Sequence, residues 1–479
     1  MTGDRPVVVW FRRDLRLHDQ PALTDALSNG APLAPLVVID PALFRGRSAS
    51  PNRAWFYLGS VAVLRKSVEA AGGRLFVRIG DPVTIVPAFA RDVGAGDVLV
   101  SRDYTPYGRR RDSAVADALR AGGGELHAKR GLLIHEPEDL VAGGRGASTV
   151  FGSYERRWRA RPIRDVLAAP TRMPALAGDG GAIPDLSSLG IDGPTADIAA
   201  LPEPGEHAAR ARLDAWLAAD PRHGPGNYHR TRDALADEQA TSRLSADLRF
   251  GTLSPVEVAT RAMAADGGEG SRRFVTELAW RDFYAHTLWQ APWTTREALD
   301  ERYRDLAYER DDDGLAAWRE GRTGYPIVDA GMRQLRAIGW LPNRARMIVA
   351  SFLTKDLLID WRQGERVFME RLVDGDPASN VGNWQWVASI GTEGRSFVRV
   401  FNPVTQARRF DPDGDYIRRW VPELGRVPPT RIHEPWTMTT DEQDRAGVRI
   451  GMDYPAPIVD HAAARLRALA RYAEAAAAG

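Results

Sequence analysis

The stretch VVVWFRRDLRLHD, residues 7–19, decides the fold class of the first part of the chain. Its opening residues, Val7–Phe11, are apolar without alternation, which is typical of a strand buried on both faces of a parallel sheet. An arginine-rich segment follows, instead of the GxGxxG loop of dinucleotide-binding folds or a P-loop. A ligand at the carboxyl end of this strand would therefore need a different kind of site.

Strand and helix patterns alternate through residues 1–130. The further apolar runs that predict buried strands are Leu33–Asp40, Arg74–Ile79 and Asp97–Val100. Helical patterns lie between the strands, near Ala22–Leu27, Arg53–Ala70, Pro82–Val93 and Arg109–Ala121. This alternation predicts an α/β domain built on a doubly wound parallel sheet.

The remainder of the chain has a different character. A stretch rich in Pro, Gly, Ala and Asp, from about Asp165 to Glu206, predicts a linker, and helical periodicity dominates after it. We therefore expect an α/β domain in residues 1–130, a linker in residues 131–205 and an all-α domain in residues 206–479.

Composition excludes several classes of protein. The 479 residues carry a net charge of +1 and include no cysteine. Disulfides, thiolate metal sites, iron–sulfur clusters and cysteine nucleophiles are thereby excluded. Charge appears too early at the amino terminus for a signal peptide, and no apolar run reaches membrane-spanning length. We expect a cytoplasmic protein with no membrane segment.

The segment DGDPASNVGNWQW, residues 374–386, combines acids and indoles with little aliphatic material. Asp374 and Asp376 would suit Mg²⁺. A solvated turn would also explain them, but it would not explain Trp384 and Trp386. The two indoles favour a flat aromatic ligand, with one of the carboxylates paired to an arginine.

Three other segments carry side chains that suit a ligand site. In TELAWRDFY, Glu277, Trp280, Arg281 and Tyr284 share one helical face, although a surface Glu–Arg pair would look the same. Hydroxyl groups in ATSRLSADL, residues 240–248, suit a phosphate or a simple helix cap. Asn343 is either a capping residue or, with Met347 at i+4, part of a site.

Long motifs, in order along nearly the whole chain, resemble those of the DNA photolyase/cryptochrome family. They are WFRRDLRLHDQPAL, TSRLS, ELAWRDFY, GYPIVDAGMRQL, NRARMIVASFLTKDLLIDW, DGDPASNVGNWQW and FNPVTQARRFDPDGDYIRRW. The resemblance implies an antenna chromophore in the α/β domain and non-covalent FAD in the helical domain. The activity it implies is light-driven electron transfer from reduced FAD to a dimer flipped out of DNA.

The resemblance assigns the FAD site residue by residue. Arg346 is expected to pair with Asp374, and Asn380 to lie near N5 of the flavin, where Asn is typical of repair enzymes. The full set of FAD-binding residues it implies is Tyr228, Thr241, Ser242, Arg243, Leu244, Ser245, Arg346, Asp374, Asp376 and Asn380. No metal is expected.

The same resemblance identifies the lesion. Asn343 and Met347 stand where the (6-4) enzymes carry a histidine pair, so the match is to class I enzymes that split cyclobutane pyrimidine dimers. Trp280 and Trp386 are expected to wall the dimer, and Glu277 to hydrogen-bond its edge. The residues expected to contact DNA are Arg232, Glu277, Trp280, Arg281, Asn343, Arg344, Arg399 and Gln406.

Two features depart from the most common family pattern. In the chain of aromatic residues that photoreduces the flavin, Trp384 and Trp361 match the first two positions. Tyr308 stands at the third, where Trp is usual. We hypothesise that Tyr308 ends the chain; the alternatives are another residue such as Trp318, or weak photoreduction.

The second departure concerns the antenna. Members that bind methenyltetrahydrofolate carry an Asn-Glu pair where this chain has Tyr107 and Gly108. The sequence is more similar to members that bind 8-hydroxy-5-deazaflavin, whose contacts map to Arg53, Asp103 and Asp40. We expect a deazaflavin antenna, with folate as the alternative.

Two other functions compete with repair. A cryptochrome-like blue-light photoreceptor would have the same fold, but this chain carries no long extension after the helical motifs. An α/β nucleotide-binding protein of the adenine-hydrolase-like class would explain residues 1–130 and nothing of the helical half. The expected partner is DNA with cyclobutane dimers, bound by a monomer.

Overall fold

The first domain is a five-stranded sheet covered by helices. The computed structural model describes residues 5–28, 30–46, 49–140, 150–220, 222–392 and 398–478. All the strands are parallel, in the order β3-β2-β1-β4-β5, and the predicted doubly wound sheet is confirmed. The strands are β1 Val7–Phe11, β2 Leu33–Ile39, β3 Phe76–Ile79, β4 Asp97–Ser101 and β5 Glu125–Lys129.

Strand β1 lies at the point where the strand order reverses. Val7 pairs with Leu33 of β2 on one side and with Asp97 of β4 on the other. The carboxyl ends of β1 and β4 therefore open a crevice between them, which is where doubly wound sheets bind ligands.

Strand β5 was missed by the sequence interpretation. Its residues, ELHAK, are polar and half-exposed because this edge strand pairs with β4 alone. An edge strand carries no continuous apolar run, so the pattern that identified the central strands does not apply to it.

The helices of the α/β domain begin where local chemistry favours a start. Each has proline at its first position and a capping side chain just before it, as Ser50 and Thr105 illustrate. These helices are α1 Pro21–Leu27, α2 Pro51–Ala70, α3 Pro82–Asp92 and α4 Pro106–Ala121.

The segment proposed as a linker contains ordered structure of its own. Two helices, α5 Pro137–Leu140 and α6 Phe151–Arg159, lie within residues 131–205. Tyr154 and Trp158 of α6 are buried against the helical part of the chain. The segment is thus packed onto the structure rather than spanning a gap.

The second half is helical, as predicted. A short π-helical turn, Phe352–Asp356, follows α14. No helix in the part of the chain that the structure describes is long and apolar enough to cross a membrane. The helices are α7 Glu206–Leu217, α8 Gly224–Thr231, α9 Ser245–Phe250, α10 Pro255–Ala265, α11 Glu269–Gln290, α12 Asp312–Glu320, α13 Pro326–Ile338, α14 Asn343–Ser351, α15 Trp361–Arg371, α16 Pro377–Val387, α17 Pro403–Phe410, α18 Asp415–Trp420, α19 Thr440–Ala446 and α20 His461–Ala478.

Candidate functional site

A pocket of 290 Å³ opens in the helical domain between α8, α9, α11, α14 and α16. Segments more than a hundred residues apart in sequence supply its walls. Most of the residues singled out from the sequence meet here, namely Tyr228, Thr241, Ser242, Arg243, Leu244, Ser245, Glu277, Arg281, Asn343, Arg346, Met347, Asp374, Asp376, Asn380 and Trp384.

One wall of the pocket is the turn before α9. Arg243 has a φ of 52°, a left-handed conformation that is uncommon for a residue other than glycine. Its guanidinium lies 4.7 Å from the ring centre of Trp340, whose indole nitrogen donates to Ser245 Oγ at 3.3 Å. A cation and several hydroxyl groups therefore border the pocket together, which suits a phosphate-bearing ligand.

Asp374 is a buried carboxylate with one engaged oxygen. Arg346 donates to its Oδ2 at 2.7 Å, which is the pair expected from the sequence. The Asp374 side chain is only 2% exposed, and its Oδ1 has no hydrogen-bond partner within the described residues. Asp374 lines the pocket, so this oxygen is available to accept a hydrogen bond from a ligand.

Asp376 holds the start of α16. Its carboxylate accepts from the backbone N–H groups of Ala378 and Ser379 as the helix cap. Burial alone would raise the pKa of Asp376, but Arg13 and Arg249 hold it at about 2. Arginine side chains neutralise the carboxylates of this segment, which argues against the magnesium interpretation.

Arg13 and Arg249 were not identified from the sequence. Arg13 follows β1 in the α/β domain and reaches Asp376 in the helical domain. Arg249 lies in α9 and donates to the carbonyl of Gly375 at 2.9 Å. The only signal was the doubled arginine after the first strand, and a partner so distant in sequence could not be assigned.

Asn380 is oriented by its hydrogen bonds. Its amide nitrogen donates to the backbone oxygen and to Oε1 of Glu365, both at 3.0 Å. Because both partners are acceptors, the amide nitrogen must face them. Asn380 lines the pocket, and its amide oxygen is left as an acceptor.

The polar atoms left over at the pocket fit a flavin nucleotide. In addition to Asp374 Oδ1, the buried Arg249 Nη1 and Trp384 Nε1 have no partner in the described structure. Buried polar groups normally have partners, so unpartnered groups around one pocket indicate a ligand. Donors and acceptors of this kind, next to the Arg243 turn, are what the ring and phosphates of FAD would need.

Three of the residues expected to contact the dimer, Glu277, Asn343 and Met347, lie at the same pocket. Glu277 is paired with Arg232 and, at 3.3 Å, with Arg273. The amide nitrogen of Asn343 lies 3.7 Å from the sulfur of Met347. The pocket thus offers the oriented carboxylate of Glu277, the amide of Asn343 and the polarizable apolar group of Met347.

Trp280 and Trp386, predicted to wall the dimer, are not among the residues that line this pocket. Both are half-buried. Trp280 instead stacks face to face on Phe151 of α6, with ring centres 3.6 Å apart and planes inclined by 7°. Phe151 was not identified from the sequence.

The arginines predicted to contact DNA differ in their surroundings. Arg344 pairs with Asp233 at 2.9 Å and covers the ring of Phe410, and Arg399 covers Phe401. Gln406 is half-buried on α17.

Arg281, also predicted to contact DNA, has inward-facing hydrogen bonds. Its guanidinium donates to the carbonyls of Leu132 at 2.7 Å and Leu248 at 3.2 Å. The Arg281 side chain is 19% exposed and lines the pocket, so donors beyond these two contacts remain for a ligand.

The aromatic residues expected to carry electrons are packed in the helical core. Trp384 and Trp361 are each 2% exposed. The ring centre of Trp384 lies 5.0 Å from that of Phe368 and 6.2 Å from that of Trp318. The hydroxyl of Tyr308 is buried without a partner among the residues described, and burial raises its pKa.

A second cavity, of 790 Å³, lies at the carboxyl ends of β1 and β4. The helical domain supplies its other wall. The guanidinium groups of Arg12 and Arg111 lie 4.7 and 5.1 Å from the ring of Trp10. The three residues assigned to an antenna, Arg53, Asp103 and Asp40, all line this cavity.

Those three residues already have partners within the protein. Arg53 donates to the carbonyl of Leu372 at 2.9 Å, and Asp40 accepts from the hydroxyl of Tyr107. Asp103 is buried, which opposes its ionisation, but Arg13 and other nearby arginines hold its pKa well below the usual range. The cavity therefore presents an ionised carboxylate among guanidinium groups.

Gly108 leaves room for Asp103. A Cβ atom at position 108 would overlap the carboxylate of Asp103. Thr105 caps α4 at this point and donates through its hydroxyl to Asp103 at 2.9 Å. A longer side chain at position 108 would displace that carboxylate.

The chain is similar to known proteins along its whole length. A family model described as DNA photolyase matches residues 7–175, and one described as the FAD binding domain of DNA photolyase matches residues 274–474. A deoxyribodipyrimidine photo-lyase from Streptomyces griseus is 42% identical over 469 residues, covering 96% of this chain and 97% of the relative.

Two solved structures share the fold. A class III photolyase from Agrobacterium tumefaciens has a TM-score of 0.91 at 38% identity, covering 99% of this chain and 98% of that one. A cryptochrome from Synechocystis has a TM-score of 0.89 at 30% identity, covering 98% of this chain and 99% of that one. The similarity thus includes relatives of both functional types.

Proposed function

The chain belongs to the DNA photolyase family and repairs cyclobutane pyrimidine dimers in DNA, and we propose that the pocket of the helical domain is where it does so. One observation carries the proposal. Glu277, Asn343 and Met347 line the same pocket as the residues assigned to FAD. A dimer flipped into this pocket would therefore lie against the cofactor.

FAD binding rests on the chain's own polar groups. Arg243 and the hydroxyl groups of Thr241, Ser242 and Ser245 would hold the phosphates. Asp374 and the Asn380 oxygen would accept hydrogen bonds from the flavin ring. When bound, reduced FAD supplies the electron that light transfers to the dimer and that returns after the ring has opened.

The dimer would be held by groups of complementary chemistry. Glu277, kept in place by Arg232, would accept hydrogen bonds from a pyrimidine edge. Asn343 would offer an amide, and Met347 an apolar contact. Trp280 and Trp386 would stack on the bases from outside the pocket, which is worth about 1–3 kcal/mol per base.

Flanking phosphates would be held by Arg232, Arg344, Arg399 and Gln406. A damaged pair stacks poorly, so extruding it costs less than extruding a normal pair. Contacts of this kind release counterions, and binding should therefore weaken with added salt.

Repair of a single dimer in an oligonucleotide under light tests the proposed function. We expect repair of a cyclobutane dimer and none of a (6-4) product, because neither position 343 nor position 347 is a histidine. Enzyme with intact, reduced FAD that failed to repair the cyclobutane dimer would favour a photoreceptor instead.

Changing Asn380 to Asp tests how the amide is held. Two carboxylates would then face each other where Asn380 now donates to Glu365. One of them must hold a proton, so the pKa of the pair would lie above the usual range. The variant should be destabilised by about 1–3 kcal/mol at neutral pH, and less so in acid, where the pair is protonated.

The measurement is the midpoint of thermal unfolding as a function of pH, with the retained FAD recorded at each pH. Asn383→Asp is the matched control for the unfolding midpoint. It lies one turn later on α16, also lines the pocket and is exposed, but its amide contacts Tyr284 and the Ser379 carbonyl rather than a carboxylate. Equal pH profiles for the two variants would contradict the assigned orientation of Asn380.

For the antenna, we propose that the 790 Å³ cavity binds an 8-hydroxy-5-deazaflavin. Gly108 supports this, because a glutamate of the folate type at this position would overlap Asp103. The stacked arginines over Trp10 and the apolar rim suit a flat ring with an anionic tail.

Titration of the protein with each chromophore checks the antenna proposal. We expect deazaflavin to bind and to transfer excitation to the flavin, and methenyltetrahydrofolate to bind weakly. Asp103→Asn should weaken deazaflavin binding while leaving the FAD content unchanged. Tight folate binding with no deazaflavin binding would overturn the proposal.

We also propose that the chain acts as a monomer and that it falls in class I of the family. Asn343 and Met347, together with the motifs around them, support the class. A phylogenetic tree that includes class I and class III sequences tests the class, and sedimentation of the FAD-bound protein tests the oligomeric state.

A further inference from the structure

Phe151 is an aromatic residue from the linker segment that contacts the predicted lesion platform. It is the first residue of α6 and stacks on Trp280 of α11 with ring centres 3.6 Å apart. An inclination of 7° makes this a parallel, face-to-face contact. One face of the Trp280 ring is therefore covered by Phe151. On its own helix, Phe283 meets the Trp280 ring edge-on at 5.5 Å, and Tyr284 lies at 5.4 Å with its plane inclined by 32°.

The surroundings of Phe151 show where it packs. Its ring also contacts Phe283 edge-on, with centres 5.5 Å apart, and Tyr154 at 6.3 Å. Phe283 of α11 and Tyr154 of α6 are buried in one cluster, whereas Glu277 and Arg281, on the same helix as Trp280, line the pocket. Phe151 packs on this cluster and is not among the residues that line the pocket.

Helix α6 is fixed firmly enough to hold this ring in place. Trp158 donates from its indole nitrogen to Asp282 at 3.0 Å, and the Tyr154 hydroxyl bonds His286 at 3.1 Å. Arg159 donates to Thr276 Oγ1 at 2.7 Å. These bonds join successive turns of α6 to α11, the helix that carries Trp280.

We propose that Phe151 is a positioning residue for damaged DNA, which holds the Trp280 ring as a platform for the flipped-out dimer. The proposal rests on the proposed function, since it needs Trp280 to stack on the dimer. A side chain that is held in its bound orientation loses less conformational entropy on binding. The free energy of aromatic stacking sets the size of the expected change in affinity for damaged DNA.

The test compares the affinity of FAD-bound protein, in the dark, for an oligonucleotide with one cyclobutane dimer and for the undamaged oligonucleotide. Phe151→Ala should weaken binding of the damaged strand by about 2- to 10-fold and leave binding of the undamaged strand unchanged. KM for repair should rise by the same factor with little change in kcat. Phe151→Tyr should restore the wild-type values.

Tyr154→Phe is the matched control, because it removes a hydrogen bond of α6 without touching Trp280. It should lower the melting temperature and leave the ratio of the two affinities unchanged. Tighter dimer binding by Phe151→Ala would mean that Phe151 covers the substrate face, and an unchanged ratio would mean that it positions nothing. Wild-type protein that failed to prefer the damaged strand would instead contradict the proposed function.

Discussion

Replacing Arg346 by alanine should lower the free energy of unfolding by about 3 kcal/mol and greatly reduce the FAD retained on purification. The Asp374 side chain is 2% exposed and that of Arg346 is 26% exposed, so the substitution leaves a buried carboxylate without its cation. The value is at the low end of the range for buried pairs because Arg346 is partly solvated. Chemical denaturation and flavin absorbance provide the measurements.

A double substitution separates the free-energy cost of the unpaired Asp374 charge from the cost of losing the Arg346 side chain. Arg346→Ala with Asp374→Asn removes the unpaired charge, and it should recover most of the stability while FAD binding stays weak. Arg344→Ala is the matched control for stability. It lies on the same helix, and its partner Asp233 is 28% exposed where Asp374 is 2% exposed, so water can solvate the carboxylate left behind and the loss should be smaller than for Arg346→Ala. Equal losses for the two single variants would contradict this account.

Replacing Trp384 by phenylalanine should nearly abolish photoreduction of the bound flavin. Trp384 lines the pocket proposed for FAD and is otherwise surrounded by core side chains. Repair by chemically reduced enzyme should be nearly unchanged, because repair returns the electron and needs no external donor. The absorbance change of the flavin under blue light, with an added reductant, measures the effect.

The residues beyond Trp384 can be distinguished in the same assay. Trp361→Phe should be nearly as slow as Trp384→Phe, whereas Trp318→Phe is the matched control, since its ring lies 6.2 Å from that of Trp384 on the alternative route. Tyr308→Phe should slow photoreduction if Tyr308 ends the chain, and an unchanged rate would exclude it. A larger effect at Trp318 than at Trp361 would redirect the route.

The fold could be predicted from the sequence where burial produces a recognisable pattern of apolar residues. The central strands are buried on both faces and read as apolar runs, and their helices begin at prolines behind capping residues. Strand β5 is an exposed edge, and α6 lies in a segment whose neighbours are rich in Gly and Arg. Both depend on packing partners that sequence periodicity does not report.

The site was predictable in its composition and less so in its contacts. Residues from Tyr228 to Trp384 do meet at one pocket, and the Arg346–Asp374 pair is present. The long-range partners were not predictable, because Arg13 reaches Asp376 across 363 positions. The inward orientation of Arg281 likewise depends on the carbonyl of Leu132 in a distant loop.

The ion pair between Arg13 and Asp376 has a consequence for how such a chain can evolve. Arg13 belongs to the α/β domain, yet it neutralises the cap of the helix that carries Asn380 and Trp384. Loss of the chromophore proposed for the α/β domain would leave this ion pair in place, so the helical domain would still depend on Arg13. We therefore expect descendants without that chromophore to retain the α/β domain, and a catalytic half on its own not to arise by simple gene truncation.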